Sequence, residues 1–428
     1  MTAEVLVALA LGWAALPVAL LGLWLLTGRS ARESWLSQAA LVHSVVLLVI
    51  AALLGASFVR QEASAVLITV PPLFELHGAR WEAAFLVDRL SVVGFALLAA
   101  VYAPIVRFSI PSFHREPGAE RYWFLVFVFA LGLALVFLSG NLDVFFLGWE
   151  VVGVTSVMLI SFFRHNLRST YNSLRALVFY RLCDLGVLGA LVWMHHAFPS
   201  SGFMELREDA ALPTSGLVAL ALLFGSLAKA AQLPMSPWLH RAMEGPASSS
   251  AIFYGALSIH LGPFLLLRTA PLWLPHEETR VLMGVIGLTT AVYATLVGRT
   301  RPDAKTALAY ATMRMLGIIF VELALGLHRL ALVHLVVHAG ARTWQFLRSS
   351  SLIDDFQDNP SVSAQVRARR QPGQAVQAPA WQQRLYVAAM RQFWLDEAQQ
   401  RFIARPVAAF FKGLEAVEAR FLGAEDDR

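Results

Sequence analysis

Apolar runs of about 20 residues, each long enough as a helix to cross a hydrocarbon slab roughly 30 Å thick, follow one another from Leu6 to Leu347. The pattern predicts eleven membrane spans, near 4–27, 36–58, 84–108, 122–140, 143–163, 172–196, 215–240, 247–270, 281–299, 304–326 and 329–348. The first run includes Glu4 and lacks a basic flank, so it is expected to be retained as a span and not cleaved as a signal peptide. From Asp354 the pattern breaks, and residues 359–380, NPSVSAQVRARRQPGQAVQAPA, have the Pro, Gln and Arg content of an exposed linker. Beyond it Tyr386, Met390, Phe393 and Trp394 recur at helical spacing, and after Pro406 the stripe resumes with Val407, Phe410, Phe411, Leu414, Val417 and Phe421. This predicts two amphipathic helices lying on a membrane or a partner, with a loosely ordered tail as the alternative.

The chain therefore divides into N-terminal spans over 1–110, a first helical unit over 111–274, a second over 275–350, a linker over 351–380 and an amphipathic tail over 381–428. The fold class is all-α, a polytopic membrane helix bundle. Loops after odd-numbered spans carry Arg29, Arg32, Arg107, Arg115, Arg121, Arg164, Arg168, Arg241, Arg299 and Arg301. Loops after even-numbered spans carry Arg60, Arg80, Arg207, Arg268, Arg280 and Arg329. That excess places the N-terminus outside, and the linker and tail on the cytoplasmic side.

Composition agrees: of 428 residues 57% are hydrophobic and only 15% charged, with mean hydropathy +0.60, which excludes a single water-soluble domain. The lone Cys183 excludes a disulfide framework, an iron–sulfur cluster and a cysteine-bound zinc within the chain. No GxGxxG turn or Walker loop is present, so no cofactor is expected, and energy must come from an ion gradient or a partner. The net charge of +5 is spread over loop ends and suggests membrane lipid, not nucleic acid.

Ionisable residues inside the spans change the picture, because each costs at least about 2.5–3.5 kcal/mol at bilayer depth. Glu150 lies in FFLGWEVVGV, with Asp143 two turns earlier; Lys229 lies in LLFGSLAKAAQLP. Glu150 reads as a proton site, or else as a carboxylate paired with an arginine to fix packing. Pro234 and Pro237 cannot donate to the carbonyls four residues before them, so the span should break just beyond Lys229, as is tolerated where helices line a cavity. A carboxylate charge moving toward or away from such a lysine would change its hold on a proton. Lys305 opens a later span, and His334, His338 and Arg342 recur at four-residue intervals, one polar stripe on an apolar helix. The stripe suggests a hydrated lane, with His260 in the eighth span as a further member. A metal on His334 and His338 is not expected, because no carboxylate lies near in sequence and Arg342 would repel a cation. Arg175, Arg181 and Asp184 form another intramembrane set, and His240, Arg241 and Glu244 close the seventh span.

These residues sit in the strings GNLDVFFLGWEVVGVTSVMLISFF, FYRLCDLG, GSLAKAAQLPMSPWLHRAMEGP, DAKTALAYATM and HLVVHAGARTWQFL. Over roughly residues 84–350 they resemble the antiporter-like, proton-conducting subunits of respiratory complex I, NuoL above all, and their relatives in Mrp antiporters, membrane hydrogenases and DabB subunits of inorganic-carbon accumulators. The resemblance implies that Glu150 and Lys229 form the ion pair of a first half-channel and that Lys305, His334 and His338 belong to a central hydrophilic axis. It also implies a five-helix unit occurring twice. Here the first unit is complete, whereas the second stops after its third helix, before a second broken helix and its lysine. Arg342 stands where the family has a lysine, and an arginine is a poor proton carrier. Tyr254 stands where it has a histidine. The tail YVAAMRQFWLDEAQQRFIARPVAAFFKGLEAVEARF resembles the C-terminal end of NuoL-like chains, and the short form resembles DabB most.

The resemblance implies a proton-conducting or sodium-conducting subunit without chemistry of its own, in the bacterial cytoplasmic (inner) membrane. It would drive a large DabA-like partner that hydrates CO2 to bicarbonate. The alternatives are an ion-translocating subunit of an NADH-quinone oxidoreductase, hydrogenase or Mrp-type complex, and a non-conducting scaffold.

Overall fold

A computed structural model describes residues 2–62, 65–72, 74–76, 79–198, 201–208, 215–349 and 379–421. Most of the expected linker falls outside these residues. The chain folds as a helical bundle. Its long elements are α1 (Ala3–Leu26), α2 (Glu33–Arg60), α3 (Arg89–Ser112), α4 (Ala119–Leu138), α5 (Leu142–Ile160) and α6 (Leu167–Ala197). After the short α7 (Glu205–Glu208) comes α8 (Gly216–Lys229), a break, and α9 (Trp238–Arg241). The next span is a composite. It runs from α10 (Ala247–Ser250) through a π turn over 251–256 and a 3-10 turn over 258–260 into α11 (Leu261–Arg268), followed by α12 (Ala270–Trp273). Then come α13 (Glu277–Gly298), α14 (Ala304–Ala324) and α15 (His328–Arg348). The tail forms helices over Ala380–Met390, Leu395–Gln399 and Arg405–Phe421.

Nine of the described segments are long and apolar enough to cross a membrane. The two further spans expected from the sequence are the interrupted α8–α9 stretch and α15, whose polar stripe lowers its hydropathy. The outside of the bundle is apolar, with Leu20, Leu23, Leu147, Leu185, Leu217, Leu288 and Val337 exposed, as a lipid-facing surface requires. The composite span is the most enclosed, 94% of it buried among neighbours.

Capping side chains fix several helix starts: Asp88 accepts from Ser91 N–H (2.8 Å), Asn141 from Val144 (3.1 Å) and Asp303 from Thr306 (2.8 Å). Among the described residues, short strands depart from the all-helical reading. β1 (Val66–Thr69) pairs antiparallel with β4 (Ala84–Val87), and β2 (Phe74–Leu76) with β3 (Ala79–Trp81), so the expected third span yields its first residues to a strand. Half-buried Val66 and Ile68 alternate with exposed Leu67 and Thr69, the two-residue period of a one-sided strand. Asn141 Nδ2 donates to the Glu82 carbonyl at 2.6 Å and ties this hairpin to the start of α5. The hairpin and the tail thus occupy opposite ends of the bundle.

Tyr122 is a packing hub among α3, α4 and α10. Its ring stacks on Phe113 at 3.7 Å, and its hydroxyl donates to Ser248 Oγ at 2.9 Å and bonds Ser109 Oγ at 2.6 Å. Tyr122→Phe should lower stability by about 1–2 kcal/mol, because two buried hydroxyls lose a partner. Thermal unfolding of the detergent-solubilised protein checks this, and an unchanged midpoint would contradict it.

Candidate functional site

Helix α5 carries Asp143 and Glu150 seven residues apart on one face. Glu150 forms an ion pair with Arg181 of α6, and Arg181 Nη2 lies 2.9 Å from Asp184 Oδ2, one turn along the same helix. Trp149 Nε1 donates to the other Asp184 oxygen at 2.5 Å. Lys229, the last residue of α8, is 1% exposed. Its ammonium donates to the Trp149 carbonyl at 3.0 Å and stands 4.9 and 4.8 Å from the Trp149 and Tyr180 ring centres. Gly153 makes room for it, since a β-carbon there would lie 2.7 Å from Nζ.

No direct ion pair joins Glu150 to Lys229, which corrects the expected pairing. The arginine fork reaches a carboxylate on its own helix and another on its neighbour, so it takes both, and Lys229 turns to a backbone carbonyl and two aromatic faces. The four charges remain within one cluster on α5, α6 and α8.

The helix stops at Lys229, and Pro234 and Pro237 lie in the following break. Side chains answer several of the freed backbone groups there. Trp238 Nε1 donates to the Ala228 carbonyl (3.0 Å), Gln232 Nε2 to the Ala230 carbonyl (2.9 Å), and Leu233 N–H to Thr290 Oγ1 (3.0 Å). Helix α11 packs against α8 so closely that a β-carbon on Gly262 would meet the Ser226 carbonyl at 2.6 Å. His260, two residues earlier, accordingly stands near the broken helix.

His260 Nε2 lies 2.9 Å from His338 Nδ1, and Arg342 Nε lies 3.1 Å from His338 Nε2. A guanidinium only donates, so His338 Nε2 carries the lone pair, Nδ1 carries the proton, and His260 Nε2 accepts it. His334 Nδ1 lies 2.9 Å from Glu322 Oε1 of α14. This carboxylate corrects the expectation that none lies near the histidines: nearly five turns of α14 separate it in sequence from Lys305, and the antiparallel packing of α14 and α15 brings it to His334. Lys305 sits in the first turn of α14, roughly 26 Å along the helix from Glu322, and does not join the histidines. Among the described residues no group of three or more His, Cys, Asp or Glu is disposed to hold a metal.

The remaining expected residues scatter more widely. Arg175 is not part of the Arg181–Asp184 set; it pairs with Asp396 of the tail, as does Arg241. His240 bonds Gln392 at 3.2 Å and stacks on Tyr310, and Glu244 pairs with Arg168 at 3.0 Å. Asp143 lies at the hairpin end, where it pairs with His195 at 2.9 Å and accepts from Ser201. Asp396, Gln399, Glu322 and His195 were therefore missed by sequence reasoning. Asp396 and Gln399 did carry a signal, two polar residues three apart on the buried side of an amphipathic segment.

A family model described as NADH:quinone oxidoreductase/Mrp antiporter, TM, matches residues 139–367, more than half of the chain. NADH-ubiquinone oxidoreductase chain 5 of Allomyces macrogynus is 29% identical over 300 residues, 69% of this chain and 46% of that protein. NADH-quinone oxidoreductase subunit L of Buchnera aphidicola subsp. Schizaphis graminum is 30% identical over 280 residues, 64% of this chain and 45% of that one. The chain thus spans about half the length of these curated relatives. A chain of the Mrp complex from Dietzia sp. DQ12-45-1b superposes with TM-score 0.68 at 22% identity, covering 81% of this chain and 37% of that one. A chain of the membrane-bound sulfane sulfur reductase, an archaeal respiratory membrane complex, superposes with TM-score 0.66 at 16% identity, covering 80% and 70%. At these identities the superpositions bear on the fold alone. With its multi-pass helical bundle and a matched segment that contains the Glu150–Arg181–Asp184–Lys229 cluster, the chain belongs to the NADH:quinone oxidoreductase/Mrp antiporter membrane family.

Proposed function

We propose that the protein is an ion-translocating subunit of a larger membrane complex, moving protons, or alternatively sodium, through the cluster around Lys229. The observation that carries this reading is a buried ammonium at the end of an interrupted helix, held by a carbonyl and two rings, with two carboxylates shared by one arginine beside it. When Arg181 holds Glu150, Lys229 has no carboxylate contact. When Arg181 turns wholly to Asp184, Glu150 is released to attract the lysine. Two states of comparable energy, differing in where one guanidinium points, are what an ion step needs. The hydrogen-bonded His260–His338 pair, His334 with Glu322, and Arg342 form a second polar group in the bundle, proposed as the onward path in a chain whose second helical unit is short.

The proposed setting is the bacterial cytoplasmic membrane, with the N-terminus periplasmic and the tail cytoplasmic, which the arginine distribution supports. The proposed partner is a large DabA-like subunit for inorganic-carbon uptake, supported by the short second unit. Mass spectrometry of the co-purifying protein decides this: iron–sulfur subunits would favour a redox complex of the NADH-quinone oxidoreductase or hydrogenase type instead.

Glu150→Gln should abolish ion flux in energised membrane vesicles while leaving expression intact, because Arg181 keeps Asp184; wild-type flux in a well-expressed variant would reduce Glu150 to a packing role. Gly153→Ala should lower flux by about tenfold, roughly 1.4 kcal/mol, by pushing the ammonium off the Trp149 carbonyl. Its thermal midpoint should fall as well, since the buried ammonium loses the carbonyl that accepts from it. Replacing His334 and His338 together by alanine should stop ion-driven activity with assembly unchanged; full activity would favour a non-conducting scaffold.

A further inference from the structure

The tail crosses the end of the bundle over the helix break. Between its first two helices the backbone turns through three consecutive non-glycine residues in the left-handed region, Gln392, Phe393 and Trp394, with φ of 54°, 52° and 56°. Such a conformation persists only where its surroundings hold it. Here they do. Arg301 donates to the carbonyls of Ala389 (3.3 Å) and Met390 (2.9 Å), Gln392 bonds His240, and the Phe393 ring lies 6.0 Å from Tyr293. Phe393 nevertheless stays 36% exposed.

The next turn presents Asp396 and Gln399 on one face. Asp396 bridges Arg175 of α6 and Arg241 at the end of α9. Gln399, 4% exposed, donates to the Pro234 carbonyl inside the break and accepts from Arg175 at 3.2 Å. Two residues from Pro234, Ser236 is fully buried. A polar cleft of about 450 Å³, lined by Arg168, His240, Arg241, Glu244, Arg301 and Gln392 among others, opens beside the tail.

We propose that Asp396 and Gln399 are positioning residues of the helix break: by tying α6, the break and the tail together, they close the Pro234 end against the water of the cleft. Water and ions then reach Lys229 from this end when the Asp396 bridge opens. A proline-broken helix has carbonyls that need donors, and Gln399 supplies one from a segment distant in sequence. Asp396 answers two arginines, one of them buried, that would otherwise repel each other across the break. The inference rests on the reading of Lys229 as the ion site, but its test does not require transport.

Ser236→Cys, a nearly isosteric change, places a probe thiol in the break of the full chain in native membranes, with the unsubstituted chain and its buried Cys183 as background. A water-soluble maleimide should label it slowly. Adding Asp396→Asn, or independently Gln399→Leu, should raise the labelling rate by at least about tenfold, as expected for losing one charge-assisted or buried hydrogen bond. Asp396→Glu should stay slow. Unchanged labelling in both backgrounds, in protein that still elutes as a single species, would overturn the proposal, as would fast labelling with the tail intact. Raised labelling together with unaltered ion flux in the same vesicles would keep the closure and count against Lys229 as the ion site.

Discussion

The interaction on which the rest of the structure depends is the hydrogen bond from the Lys229 ammonium to the Trp149 carbonyl. It holds a cation where hydrocarbon would otherwise expel it, and it requires several neighbours to be what they are. Gly153 must lack a side chain, and Tyr180 and Trp149 must offer ring faces. Arg181 bridges Glu150 and Asp184, and with Lys229 it balances their two charges. Two carboxylates and two cations then cost far less to bury than any one of them alone.

The break after Lys229 has structural consequences of its own. Interrupting a helix inside a membrane frees donors and acceptors that lipid cannot satisfy. The chain answers with side chains drawn from widely separated segments: Trp238 locally, Thr290 from α13 and Gln399 from the tail. The tail, which looks peripheral in sequence, is thereby bound to the most vulnerable point of the bundle. Its last helix, Arg405–Phe421, leaves Phe410, Phe411, Leu414 and Val417 exposed. Among the described tail residues, the stretch from Ala389 to Gln399 carries the bonds to the bundle.

Most of the fold was legible because lipid imposes a length and a composition on every span, and runs such as those of α1, α4 and α14 have little else they can form. The short strands between α2 and α3 were not, since strands of three or four residues carry too little periodicity to stand out between two spans. At the site, Glu150, Lys229 and the prolines were visible as polar or helix-breaking residues in apolar runs. Which charge meets which was not visible. Arg181 lies closer in sequence to Asp184 than to Glu150 yet bonds both, and Arg175, six residues from Arg181, turns to the tail instead. Such choices depend on helix rotation and on contacts across more than two hundred residues, which no local pattern encodes.

The direction of the hydrogen bonds through His338 has a consequence for charge movement. With Arg342 donating to Nε2, the ring's one N–H points toward His260. A proton relay along imidazoles needs each ring to accept on one nitrogen while releasing from the other, then to flip before the next passage. The guanidinium occupies the accepting nitrogen and surrenders no proton of its own, so a proton passing along the proposed histidine path would require the Arg342 side chain to leave His338 Nε2 first.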